Sequence, residues 1–240
     1  MGTLVLVAHG TRDPAGASTV DSITDAVRHR LRGVTVRVAY ADVRAPDVTA
    51  VLREVPGPAV VVPMFLARGY HVRADVPAQL VAAGRSSGDT RLTDAIGTDR
   101  RLVAAAHDRL LAAGARPGDA VVFAAAGSSD EGALADVRLA AAGLAARTGA
   151  DVRIAYAATA TPKVADVVSE LRARRQRVAV ASWLLAPGQF QRVVAASGAD
   201  LVADPLGAHP AVVDAVVSRY AGGHAPLALA GTHAHPCISR

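Results

Sequence analysis

The chain has 240 residues, a formal net charge of +5 and one cysteine, Cys237. The single cysteine excludes an intramolecular disulfide, and a chain this long hides roughly 70% of its unfolded surface on folding, so a core needs no covalent or metal staple. Aromatic residues at 3% argue against a base-stacking nucleic-acid surface, while 51% apolar and 20% charged residues exclude a disordered chain.

Thr3 to Gly10 is an apolar run closed by glycine, which predicts a buried parallel strand. Val20, Ile23, Val27 and Leu31 follow at the spacing of one helix face. Val34 to Asp42 predicts a second strand, and a helix is expected from about Pro46, with the proline in its first turn. Pro58 to Leu66 predicts a third strand, followed by a helix through Val76 and Leu80. Arg91 to Gly97 predicts a short fourth strand, and Leu102, Val103, Ala106 and Leu110 mark a further helix. Gly114 to Asp119 is a turn-rich break. Strands alternating with helices predict an α/β protein with small parallel sheets covered on both faces.

After the break the pattern repeats. Ala120 to Asp130 mirrors the first strand and its exit, Val152 to Pro162 mirrors Val36 to Pro46, and Arg177 to Gly188 mirrors the third strand. Ala203 to Gly207 mirrors Thr93 to Gly97, and the offsets stay between 110 and 119 residues. The expected organisation is therefore two similar lobes, residues 1–115 and 119–221, with a flexible tail over 222–240. Open parallel sheets bind ligands beyond the carboxyl ends of their strands. There the first copy carries His9, Asp42 and His71, where the second has Ala126, Ala158 and Phe190. The scaffold residues persist: Gly10 with Gly127, Tyr40 with Tyr156, Pro46 with Pro162 and Gly69 with Gly188. Joint absence of the three polar groups from the copy predicts that they form one site, present once. Two imidazoles and a carboxylate with open positions suit a divalent first-row metal held transiently, and neutral imidazole also accepts protons.

Residues 4–14 (LVLVAHGTRDP) and 63–77 (PMFLARGYHVRADVP) resemble the paired signatures of the sirohydrochlorin chelatases, the CbiX/SirB type of class II chelatase, in its long duplicated form. YADVRAP at 40–46 resembles the middle motif, with aspartate where glutamate is usual. The resemblance implies an enzyme, a lyase forming nitrogen–metal bonds, that inserts Fe2+ or Co2+ into sirohydrochlorin for sirohaem or cobalamin. It implies metal binding by His9, Asp42 and His71, with His9 and His71 as catalytic bases and His9 the essential one. The metal is a substrate and no organic cofactor is implied. A GC-rich composition hints at a bacterium in which a different, multisubunit enzyme supplies cobalt for cobalamin, which favours iron.

The macrocycle carries eight carboxylates, so Arg12, Arg44, Arg68 and Arg73, beside the motifs, are candidate clamps. Each is otherwise a solvated surface arginine; Lys163 is the only lysine, and coding bias explains much of the arginine content. Gly10 and Thr11 are expected to open a helix whose amides hold an anion, and Gly69 to permit a tight turn. Expected partners are the tetrapyrrole and the metal, with no nucleic acid and no membrane, on a cytoplasmic monomer. No apolar run is long enough to span a bilayer, and the closing CISR is a poor prenylation box. His29, His107 and His209 read as surface or core-flanking residues. His224, His233, His235 and Cys237 could form a metal-loading arm, although a frayed tail is the plainer reading.

Two alternatives remain. LVAHG also resembles the LVRHG start of histidine phosphatases, but Ala8 stands at the arginine position. A non-enzymatic metal or tetrapyrrole carrier would use the same residues without turnover.

Overall fold

A computed structural model describes residues 2–224. The first repeat contains β1 (Thr3–Ala8), α1 (Pro14–Arg30), β2 (Thr35–Tyr40), α2 (Val48–Glu54), β3 (Ala59–Pro63), a π-helical turn (His71–Asp75), α3 (Val76–Ala82), β4 (Thr90–Leu92), a 3-10 turn (Ile96–Thr98) and α4 (Arg101–Ala112). The second contains β5 (Ala120–Ala125), α5 (Glu131–Thr148), β6 (Val152–Tyr156), α6 (Val164–Ala173), β7 (Val178–Trp183), α7 (Gln189–Ala195), β8 (Leu201–Val202) and α8 (Pro210–His224). Each repeat forms a four-stranded parallel sheet, in the orders β2-β1-β3-β4 and β6-β5-β7-β8. The expected α/β class and the two similar lobes are present.

Side chains alternate along each central strand because its pleat has period two. Leu4, Leu6 and Ala8 face a core shared with Val121, Phe123 and Ala125 of the second repeat. Val5 and Val7 face an outer core under α2, and Val122 and Ala124 face its counterpart under α6. Every residue of β1 and β5 is buried, which is why both read as continuous apolar runs.

The last helix of each repeat crosses over. Helix α4 packs on β7 and α5, and α8 packs on β3, β4 and α1. Arg109 of α4 donates to the Leu206 carbonyl, and Arg219 of α8 donates to the Ala95 carbonyl. One hydrophobic core therefore runs through both repeats. Helix α8 takes in Gly222–His224; the rest of the sequence-predicted tail, with His233, His235 and Cys237, lies outside the described residues.

The proline expectation at the second helix needs correction. The Ala45–Pro46 peptide is cis, and α2 starts at Val48 with Asp47 as N-cap, its side chain accepting from the Ala50 amide. Pro46 belongs to the preceding loop, where its carbonyl accepts from Tyr40 N–H at 2.9 Å. The Thr161–Pro162 peptide is also cis, with the Pro162 carbonyl bonded to Tyr156 N–H at the same distance. Among the described residues no helix is long and apolar enough to cross a membrane.

Candidate metal and macrocycle site

Both repeats leave their first strand by the same turn. Gly10 has φ 99° and Gly127 φ 94°, a region that favours glycine. The Ala41 and Asp42 amides donate to the Ala8 and His9 carbonyls at 2.8 and 3.0 Å; Ala157 and Ala158 donate to Ala125 and Ala126 at 2.8 and 2.9 Å. A Cβ on Gly10 would stand 2.0 Å from the Asp42 carbonyl oxygen. Glycine there lets the β1 exit and the Asp42 loop touch.

That contact sets His9 beside Asp42, and the π-helical turn after β3 adds His71. Potential ligand atoms of His9, Asp42 and His71 all lie within 4.8 Å of one another. The two imidazole centroids are 4.6 Å apart, and Phe65 lies 6.1 and 6.0 Å from them as an apolar wall. Val43, next to Asp42, has φ 65°, and the Arg44 amide donates to the Asp42 carbonyl at 2.7 Å. This is a γ-turn centred on a β-branched residue, a strained conformation. Asp42 Oδ1 accepts from the Val43 amide at 2.7 Å, which steers the carboxylate.

His9 and His71 edge a cleft of about 860 Å³ between the repeats, with Val43, next to Asp42, also on its lining; the volume is at the upper end of the range for small-molecule sites. The facing wall comes from the second repeat and is mostly carbon, including Ala126, Leu134, Trp183, Leu185 and Phe190. His9 retains solvent-accessible surface but sits within this cleft. Desolvation there, then the neighbouring His71, lower its pKa below 6.5, against opposing contributions from its own backbone, Asp42 and Asp75. The ring is therefore neutral near pH 7, as both a metal ligand and a base require.

His71 opens the π-helical turn, and its Nδ1 lies 2.9 Å from Asp75 Oδ2. Asp75 Oδ1 accepts from Gln79 Nε2 at 3.0 Å. Neither Asp75 nor Gln79 was singled out in the sequence, although His71, Asp75 and Gln79 recur every four residues, a helix-face spacing.

The candidate arginines divide. Arg68 makes a two-point ion pair with Asp136 of α5, through Nε at 3.0 Å and a terminal nitrogen at 2.7 Å, and its amide adds a bond at 2.9 Å. Arg73 pairs with Asp130, the N-cap of α5, at 3.3 Å. Arg192 of α7 pairs in the mirrored way with Asp13, the N-cap of α1. Arg68 and Arg73 thus fasten one repeat to the other, and the residue equivalent to Arg73 persists in the copy as Arg192. Arg12 lines the cleft, and Arg44 lies 5.6 Å over the Tyr40 ring; among the described residues neither has a carboxylate partner. Gly10 and Thr11 line the cleft but do not open the helix. Helix α1 starts at Pro14, which has no N–H, and the Asp13 carboxylate caps the Ala15 amide. Gly69 needs no positive φ; its carbonyl accepts from the Val72 and Arg73 amides, and it faces Ser128 across the cleft.

The architecture is that of the two-lobed chelatases. It matches SirB from Bacillus subtilis, solved with Fe3+, at a TM-score of 0.76 and 21% identity over 93% of this chain and 96% of that one. A structure described as CbiX, the terminal enzyme for siroheme biosynthesis in denitrifying bacteria, matches at 0.69 and 21% identity over 93% and 99%. The chain belongs to the CbiX family, whose model matches residues 3–113 and again 120–222. A curated relative, the sirohydrochlorin cobaltochelatase of Methanopyrus kandleri, is 33% identical over 84 residues, which are 33% of this chain and 59% of that protein. The match thus spans under two thirds of that relative's length.

Proposed function

We propose that this protein is a chelatase that inserts a divalent metal ion into sirohydrochlorin, with Fe2+ favoured over Co2+. The observation that carries the reading is the convergence of His9, Asp42 and His71 ligand atoms within 4.8 Å, with both imidazoles on the wall of an 860 Å³ cleft. Three donors leave coordination positions open, so the ion is held loosely enough to be handed on. Insertion forms metal–nitrogen bonds as two pyrrole N–H groups lose their protons. Neutral His9 takes the first proton, and His71 is placed beside it for the second. Arg12 and Arg44, absent from the copy as the triad is, are the arginines assigned to ring carboxylates. Residues 1–115 then form the catalytic repeat and 119–221 the degenerate one. Both walls of the cleft come from one chain, so a monomer suffices. A phosphatase reading is disfavoured because Asp42 and Asp75 place negative charge around His9, where a phosphate would have to sit.

The test is anaerobic mixing of protein, sirohydrochlorin and either Fe2+ or Co2+, followed by absorbance. Many turnovers per protein are expected, with faster turnover for Fe2+. His9→Ala should lose about 10²- to 10⁴-fold in rate, the usual contribution of a general base. A single stoichiometric change would make the protein a carrier.

A further inference from the structure

Gln79 is held by two backbone groups of fixed polarity. Its Oε1 accepts from the Val48 amide at 3.1 Å, and its Nε2 donates to the Ala41 carbonyl at 3.2 Å. An N–H cannot accept and a carbonyl cannot donate, so the amide has one permitted orientation. The second hydrogen on Nε2 meets Asp75 Oδ1 at 3.0 Å, and Asp75 Oδ2 faces His71 Nδ1 at 2.9 Å. A carboxylate only accepts. Neutral His71 therefore carries its hydrogen on Nδ1, and its lone pair sits on Nε2.

We propose that Asp75 and Gln79 are positioning residues that impose the Nδ1–H tautomer on His71 and tie its turn to the loop carrying Asp42. Ala41 directly precedes Asp42, so one amide registers both ligand-bearing segments at once. Thr49 adds a third tie, its hydroxyl donating to the Gln79 carbonyl at 3.2 Å. The second repeat supports the assignment. At the offset that matches His71 to Phe190, Asp75 falls on Val194 and Gln79 on Gly198, so the relay is missing where the ligands are missing. This inference rests on the metal-handling reading of the site, but its test needs no macrocycle.

In Asp75→Asn the backbone still pins Gln79, whose Nε2 takes the Asn Oδ1. The Asn Nδ2 then faces His71 and moves its hydrogen to Nε2. Ring 15N shifts of the full-length, metal-free protein, read above the ordinary imidazole pKa, should show Nδ1–H in the parent and Nε2–H in Asp75→Asn. The His71 signals are assigned by their loss in His71→Gln. Co2+ affinity, followed by d–d absorbance, should fall about 10- to 100-fold, as is usual when the partner of a ligating histidine is removed. The exchange Asp75→Asn/Gln79→Glu keeps size and net charge. Its glutamate accepts from Val48 and from the Asn Nδ2, which turns the Asn Oδ1 back to His71. The Nδ1–H form and part of the Co2+ affinity should return, the shortfall reflecting the lost donor to Ala41. An Asp75→Asn protein that keeps Nδ1–H, or an exchange variant binding Co2+ no better than Asp75→Asn, overturns the proposal. Failure to metallate sirohydrochlorin with the tautomer switch intact would instead remove the chelatase reading and leave the relay standing.

Discussion

His9 shows how much chemistry a residue owes to its surroundings. Desolvation in the cleft and the adjacent His71 hold its pKa below 6.5. Protonation removes the lone pair that the proposed metal binding requires, and a lowered pKa defers that event to more acidic pH. Binding through His9 should therefore persist at pH 6.5 and fade below it; an NMR titration of the ring in the metal-free protein should give a midpoint under 6.5. Arg68 supports a different prediction. Burial alone would raise the Asp136 pKa, but the hydrogen bonds and charge of Arg68 outweigh it and hold the carboxyl below its ordinary 3.8. The stabilisation is complete above that ordinary value and is lost as pH falls through the lower, folded one. Arg68→Ala should lose about 1–3 kcal/mol in denaturant unfolding near neutral pH, the range for a buried acceptor deprived of its partner, tempered because the guanidinium is half exposed. Its KM for the macrocycle should stay near the parental value, in contrast to Arg12→Ala. The triad was legible in the sequence because the duplicate served as an internal control. The true partners of Arg68 and Arg73 were not, since the acids lie 68 and 57 residues away in the other repeat.

At the scale of elements, β1, β3, β5 and β7 were legible because burial along their whole length leaves nearly unbroken apolar runs. The helix starts were less so. Pro46 resembled a first-turn proline, but Asp47 two residues before Thr49 supplies the cap, and the proline is used in the loop. The π-helical turn had no sequence signature of its own; its Asp75 is tied to Gln79 of α3, which in turn bonds the Ala41 carbonyl and the Val48 amide 38 and 31 residues earlier. The β1–α1 turn gives the sharpest prediction here. Gly10→Ala places a methyl group 2.0 Å from the Asp42 carbonyl at φ 99°. It should destabilise the fold by more than about 1 kcal/mol, because the native conformation is incompatible with a side chain. It should also weaken Co2+ binding by displacing Asp42. Calorimetry and a metal titration check the two effects separately.

For the whole molecule, the duplication was legible and the crossing of α4 and α8 was not, because nothing local in a helix says which sheet it will cover. The crossing predicts one cooperative transition. Trp183, the single tryptophan, donates its indole N–H to the Leu66 carbonyl across the repeats. Its fluorescence and the far-UV circular dichroism should trace coincident denaturation curves; two separated steps would mean that the repeats unfold independently. The mirrored clasps, Arg73 with Asp130 and Arg192 with Asp13, obey an approximate dyad that the histidines break. A strictly symmetric pair would offer imidazole to both sides of a flat guest and give the incoming ion no preferred side. Here the proposed planar guest would meet imidazoles on the first-repeat wall only and a mostly apolar second-repeat wall, so an incoming ion would reach it from one face.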